Sequence, residues 1–362
     1  MDANLATPLS TTVLGAGLMG RLLALALARA GHAVQLFEAG GPDGHGAAAH
    51  VAAAMLAPLA ESAITETSVV QMGQYSLQRW PQLLAQLEAP VFFQQNGTLI
   101  LWHRQDAPEA ARFGQQLAVT RRQLPSLPAP QALDAAAIAT LEPAIDHRFA
   151  NGLYLPGEGQ LDNRQLLDAL LQQLQSSGVA LHWHSPRELT DCRSNDDGWV
   201  FDCRGLGARG PWPALRAVRG EVLRLHAPGV TLNRPVRLVH PRYPLYIAPK
   251  PDNIFVVGAT EIESDDMSPI SVRSSLELLS AAYSVHSGFG EARILQASTQ
   301  CRPTLPNNLP AIRQLAPRVL QLNGLYRHGF LIAPAMLDAA LEYMQKGQSA
   351  LAQQWQLAIE IV

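Results

Sequence analysis

The sequence predicts an α/β nucleotide-binding domain, Rossmann-like in order, with an α+β substrate domain built on an antiparallel sheet inserted into it. Three observations predict it. Residues 11–38 read as strand, glycine turn, helix, second strand and acid, which is how a dinucleotide-binding unit opens. Residues 218–225, 245–248 and 254–258 are β-prone runs separated by turns, with no helical spacing between them. A strand at 319–322 followed by a helix at 334–345 then restores the strand-helix order. The nucleotide domain is accordingly assigned residues 1–85, 150–215 and 300–362, and the inserted domain residues 86–149 and 216–299.

Composition bounds the function classes. The chain has 362 residues, too many for one comfortable core. It is 48% hydrophobic and 16% charged, which excludes a disordered chain. Its 27 basic and 30 acidic residues give a net charge of -3, so no generally basic surface for nucleic acid is expected. Cys192, Cys203 and Cys301 show no metal-ligand spacing and are odd in number. They point to a reducing compartment without a disulfide framework or a metal site. The first four residues carry no basic run, and the apolar stretch 22–28 is short and flanked by Arg21 and Arg29. That stretch reads as a buried helix. No run is long enough to span a bilayer, and a cytoplasmic location is expected.

The first elements carry the clearest chemistry. A strand at 11–14 runs into Gly15-Ala16-Gly17-Leu18-Met19-Gly20. Gly15 permits the tight turn, Gly17 lets backbone approach a pyrophosphate, and Gly20 lets the helix at 21–30 pack close to the sheet. The helix N-terminus offers free N–H groups and partial positive charge to phosphate. Glu38 ends the second strand, 23 residues after Gly15, where a carboxylate accepts hydrogen bonds from ribose hydroxyls. An acid there disfavours NADP, while NAD and FAD both remain open on these residues.

Further along, the glycine-rich loop 40–46 leads into an Ala-rich stretch. Residues 68–87 read as one helix, with a possible break at Pro81. Residues 91–102 alternate as two strands around the turn Asn96-Gly97. Pro125 to Pro130 is linker-like, residues 163–176 form a helix, and 178–184 form a strand. Residues 271–284 are helical.

Several ordered segments resemble the glycine oxidases of the thiamine pathway, within the D-amino acid oxidase superfamily. They are Met55-Leu56-Ala57-Pro58 with Glu61 behind it, Gly157 to Asp162, Val218 to Leu223 and Tyr246 to Lys250. Val257 to Glu261, Arg302-Pro303-Thr304, Leu309-Pro310 and Tyr326 to Pro334 complete the series. The resemblance spans nearly the whole chain and implies an FAD-binding Rossmann-like domain with non-covalent FAD. It places Ala53, Ala54 and Met55 at the flavin, Gly205 and Gly207 at a backbone approach to the cofactor, and His328, Gly329, Phe330, Leu331 and Ile332 at the pyrimidine end. Ala49 and Ala54 stand where the family usually has Ser and Gly.

The resemblance also implies a substrate site. Arg302 matches the family's carboxylate-binding arginine and Tyr246 the tyrosine that donates to the same carboxylate. Arg327 matches a second arginine near the active site. A guanidinium suits a carboxylate because it binds bidentately. Glycine would then lose a hydride to the flavin, giving an imine that hydrolyses to glyoxylate and ammonia, with molecular oxygen as acceptor. A small amino acid substrate, a homo-oligomer, no nucleic acid and no membrane span are the partner expectations. Sarcosine or a D-amino acid as substrate stays open, as do an NAD-linked dehydrogenase and a non-catalytic flavoprotein. His50, His240 and His328 lie in or near these segments, and none is assigned as a base.

Overall fold

The computed structural model describes residues 9–145, 148–192, 198–239 and 245–362. His240 lies outside the described residues. The chain builds two large sheets and one small one. The first has seven strands, in the spatial order Ala358–Ile361, Ala311–Ala316, Val319–Asn323, Trp199–Asp202, Ser10–Leu14, Ala33–Phe37 and Ala180–His182. Its five strands from Val319–Asn323 to Ala180–His182 are parallel. Strand Ala311–Ala316 turns back as a hairpin on Val319–Asn323. Four of these five strands are short and mostly buried, as expected where helices cover both faces.

Helix Leu18–Arg29 is buried along nearly its whole length. Leu22, Leu23 and Leu27 join Val13, Ile312, Leu320 and Met336 in the largest apolar cluster. The terminal helix Gly329–Lys346 closes that cluster. It begins five residues before the expected start at 334 and carries Pro334 inside it. A mid-helix proline leaves the carbonyl four residues back without its donor. Here helix Thr67–Leu84 supplies replacements: Trp80 Nε1 donates to the Phe330 carbonyl at 2.9 Å, and Ser76 Oγ accepts from the Ala335 N–H at 3.3 Å. Buried backbone groups are thereby satisfied.

The nine-stranded sheet runs Ile262–Glu263, Arg216–His226, Ile254–Gly258, Leu245–Lys250, Val236–Leu238, Thr98–Leu101, Asn151–Leu155 and Gln131–Asp134. Arg293–Thr304 pairs with the other edge of Arg216–His226. All pairings are antiparallel except Val236–Leu238 with Thr98–Leu101. Helix Val272–Val285 covers one face, burying Leu278, Ala282 and Val285 against Leu223, Phe255 and Val257. Asn151–Leu155 and the strand reaching Thr304 belong to this sheet, so sheet membership divides the chain a few residues beyond the edges at 150 and 300.

The two strands expected around Asn96-Gly97 do not form a hairpin. Phe93–Gln94 joins Gly159–Leu161 and Met55–Leu56 in a three-stranded sheet, while Thr98–Leu101 enters the nine-stranded one. Gly97 turns the chain between sheets because Tyr154 and the Leu155 carbonyl occupy the space a side chain would need. Helix Ala107–Gln123, strand Arg293–Thr304 and strand Ala358–Ile361 were not expected from the sequence.

Candidate active site

A single cavity of about 620 Å³ runs from the glycine turn after the first strand to Arg302, Tyr246 and Arg327. That volume lies in the ~300–1,000 Å³ range of ligand clefts.

At one end, Gly20 is required by packing alone. A Cβ there would lie 1.8 Å from the Gly15 carbonyl oxygen, and the residue does not line the cavity. Gly17 is different. It lines the cavity, and a Cβ on it would meet only Ala47 Cβ at 3.7 Å. Nothing in the protein demands glycine at 17, so the open space suits a pyrophosphate drawn close to the backbone. Gly17 caps helix Leu18–Arg29 without any side-chain cap, which leaves the helix N–H groups available to an anion. Glu38 accepts from Ala16 N at 2.6 Å and Gly40 N at 2.9 Å, and its carboxylate lines the cavity beside them. Arg21 is fully buried and donates to the Ala16, Pro42 and Leu167 carbonyls, each at 2.7 Å, tying the turn to the 40–46 loop. Gly205 and Gly207 line the same end.

In the middle, Ala53, Ala54 and Met55 line the wall. Ala54 holds φ at +52°, the left-handed region that favours glycine, which accounts physically for the family's usual glycine there. Lys250 fixes this segment from behind. Its Nζ donates to the Ala53 carbonyl at 2.8 Å, the Leu161 carbonyl at 2.7 Å and Gln160 Oε1 at 3.1 Å. Three acceptors match three ammonium protons, although burial pushes the lysine pKa down to about 7.

At the far end, two glycines form a floor. Arg302 lies on strand Arg293–Thr304 and its guanidinium crosses Gly220, where a Cβ would come within 2.4 Å of Nη2. Tyr246 pairs across the sheet with Gly258, and a Cβ there would lie 2.8 Å from the tyrosine hydroxyl. Among the described residues Arg302 donates only to the carbonyls of Arg219 at 3.3 Å and Thr260 at 3.2 Å. Thr260 is itself locked, its hydroxyl donating to Glu221 Oε2 at 3.0 Å. No carboxylate among the described residues pairs with Arg302, and burial lowers its pKa.

Arg327 is brought to the same cavity but is already paired. Its Nε lies 3.1 Å from Glu61 Oε2 and its Nη1 2.8 Å from Glu261 Oε2. Glu61 is also joined to Arg237 Nη2 and lies 3.3 Å from His328 Nδ1. Burial alone would raise the Glu61 pKa, yet Arg327, Arg237 and His328 together hold it well below the carboxylate range. Burial pushes His328 down to about 4, leaving it neutral near pH 7. Burial likewise raises the Tyr246 pKa, keeping its hydroxyl a donor.

Helix Gly329–Lys346 presents its N-terminus to the cavity through His328, Gly329, Phe330 and Leu331, again with no side-chain cap. Ile332 is fully buried in the apolar core and does not line the cavity. Leu18, Met19 and Ala16 do line it. Sequence reasoning assigned no role to Arg21, Arg237, Lys250 or Glu261. The one available signal was a charged residue embedded in an otherwise apolar or family-like segment. Among the described residues no group of three or more His, Cys, Asp or Glu is placed to hold a metal, and no helix is long and apolar enough to cross a membrane.

The residues fit a flavin dinucleotide: an uncapped helix and open Gly17 for pyrophosphate, Glu38 for ribose, and a second uncapped helix end beside the substrate groups. Comparison with known proteins agrees. A protein of Rhizobium etli assigned as the thiamine biosynthesis oxidoreductase ThiO is 41% identical over 322 residues, 89% of this chain and 92% of its own. A glycine oxidase of Geobacillus kaustophilus is 25% identical, with 89% of each chain covered. The crystal structure of glycine oxidase from that organism superimposes with a TM-score of 0.80 at 23% identity, over 94% of this chain and 96% of that one, and so shares the fold. The model of the FAD-dependent oxidoreductase family DAO matches residues 10–339, and the chain belongs to that family.

Proposed function

We propose that this chain oxidises glycine, or a closely related small amine, to glyoxylate and ammonia in thiamine thiazole biosynthesis. The names of its relatives support this reading. The observation that carries it is Arg302, a half-buried guanidinium lining the cavity with no carboxylate in ion-pair contact among the described residues. A partly desolvated cation with no ion-pair partner is costly, and a substrate carboxylate supplies one.

In this reading the unit on the seven-stranded sheet holds the nucleotide and the nine-stranded sheet holds the substrate. Gly15, Ala16, Gly17, Leu18, Met19 and Glu38 hold the ADP half of FAD, with Gly205 and Gly207. Ala53, Ala54, Met55 and residues 328–331 hold the flavin. Bound there, FAD would supply the acceptor for a hydride from the substrate α-carbon. Arg302 and the Tyr246 hydroxyl grip the carboxylate and so fix where that carbon lies. The N–H groups at the start of helix Gly329–Lys346 favour negative charge at the cofactor's pyrimidine end. Molecular oxygen as acceptor and a homo-oligomeric state belong to the same proposal.

The test is the visible spectrum of the purified holoenzyme, followed anaerobically as glycine is added. Bleaching of the flavin band by glycine is expected, and Arg302→Ala should weaken glycine binding by about 1.5–3 kcal/mol, the worth of a hydrogen bond to a charged group. A spectrum that glycine leaves unchanged, while sarcosine or a D-amino acid bleaches it, would refute glycine as substrate.

A further inference from the structure

Among the described residues three guanidiniums line the far end of the cavity, and they are not equivalent. Arg237 is joined to Glu61. Arg327 lies between Glu61 and Glu261. Among the described residues Arg302 hydrogen-bonds only to carbonyl oxygens. Among the described residues three cations therefore face two carboxylates, and the one without an ion-pair partner is Arg302. Glu61 is 9% exposed at its side chain, whereas Glu261 is 37% exposed, so Glu261 is the member of the pair that an incoming ligand meets.

We infer that Glu261 sets the charge of the substrate this pocket accepts, restricting it to molecules with a single carboxylate. The inference rests on the reading of Arg302 as the carboxylate anchor. A dicarboxylic amine, gripped at Arg302 by one carboxylate, has Arg327 as the neighbouring cation for its second. That guanidinium is already held by Glu61 and Glu261, and the second carboxylate would meet the Glu261 charge at close range in a cleft that solvent screens only in part. Like-charge placement of this kind discriminates by repulsion, without a specific contact to the accepted ligand.

The geometry also shows how the restriction could be lifted. The Glu261 carboxylate accepts from the Tyr326 hydroxyl and from Arg327 Nη1. Glu261→Gln keeps an acceptor oxygen for one of them and removes the charge. Arg327 then retains Glu61 as its one counter-ion, which it shares with Arg237. The pocket surplus rises from one positive charge to two, matching a dianion.

The experiment uses the FAD-loaded enzyme and reads binding without turnover. Acetate and malonate are titrated into wild type, Glu261→Gln and Arg302→Ala, and the perturbation of the flavin absorbance gives each dissociation constant. Wild type is expected to bind acetate in preference to malonate. Glu261→Gln is expected to raise the malonate-to-acetate affinity ratio by about tenfold or more, the size of one new charge-assisted contact. The kcat/KM ratio of iminodiacetate to glycine should move in the same direction. An unchanged ratio in Glu261→Gln, with acetate still bound and lost in Arg302→Ala, would overturn charge selection while leaving the anchor in place. Acetate binding that survives Arg302→Ala would overturn the anchor and the inference built on it. Glu261→Ala, which removes charge and acceptor together, must shift the ratio the same way. A shift confined to the glutamine variant would attribute the effect to the new amide and refute the proposal.

Discussion

Two glycines three residues apart should behave oppositely when each is given a methyl group. In Gly20→Ala the new Cβ starts 1.8 Å from the Gly15 carbonyl oxygen and 3.0 Å from its carbon. Backbone cannot swing aside as a long side chain does, so helix Leu18–Arg29 must retreat by more than about 1 Å from the first strand. That helix packs into the largest apolar cluster, and overpacking of this kind costs about 1–3 kcal/mol. In Gly17→Ala the Cβ has one neighbour at 3.7 Å and the backbone sits at φ −73°, which alanine adopts freely. The apoprotein should stay within about 0.5 kcal/mol of wild type, the usual range for a substitution that touches nothing. The methyl group instead stands in the cavity where a pyrophosphate would approach, and FAD affinity should fall at least tenfold, about 1.4 kcal/mol. Thermal melts of the two apoproteins and fluorescence titration with FAD separate the effects. The reasoning fails if Gly17→Ala binds FAD like wild type, or if Gly20→Ala melts like wild type.

Two further outcomes follow from backbone and burial. Ala54→Gly should leave stability within about 1 kcal/mol of wild type, because relief at φ +52° offsets one lost buried methyl group worth about 0.8 kcal/mol. Ala54→Val, β-branched at the same φ, should lower both the melting temperature and FAD affinity; equal behaviour of the two variants would contradict the left-handed assignment. His328 falls from 6.5 to about 4 on folding, so its neutral form is the native one. The unfolded chain takes up that proton first, and the stability it contributes is complete above pH 6.5 and lost as pH falls toward 4. Burial lifts Glu158 to about 7, which works in the opposite sense, its contribution fading as pH rises from 4.5. Melting temperatures across pH 4–7 should therefore fall less steeply on the acid side in His328→Asn than in wild type, and parallel curves would remove His328 from the account.

The opening unit was legible because its pattern is local. Turn, helix, strand and acid follow one another within 28 residues, and Gly20 answers to the Gly15 carbonyl in that same stretch, although Gly15 itself is crowded by Cys203 and Arg204 from a distant strand end. The terminal helix was legible in kind but not in its start. A proline in a helix ordinarily stands in its first turn, and the side-chain partners that let Gly329–Lys346 begin earlier, the Trp80 donor and the Ser76 acceptor, come from some 250 positions away in the chain. Strand Arg293–Thr304 escaped notice for a related reason. Its first three residues are exposed, so neither alternation nor an unbroken apolar run marks it; its register on Arg216–His226 is what makes it a strand.

The same distinction between local and distant information explains the arginines. Family likeness placed Arg302 and Arg327 side by side as substrate groups, since both occur in matching segments. What separates them is the company each keeps after folding. Arg327 meets carboxylates from Glu61 and Glu261, and Glu61 also takes Arg237 from 176 positions away. Among the described residues Arg302 forms no ion pair, because Gly220 and the carbonyls of Arg219 and Thr260 enclose its guanidinium from behind. A sequence motif records that an arginine is present and carries no record of whether its charge is already spent. The free charge is what a substrate carboxylate can use, so the pocket's chemistry resides in the pattern of pairing between one sheet and the helical segments carrying Glu61 and Arg327, which only the fold assembles.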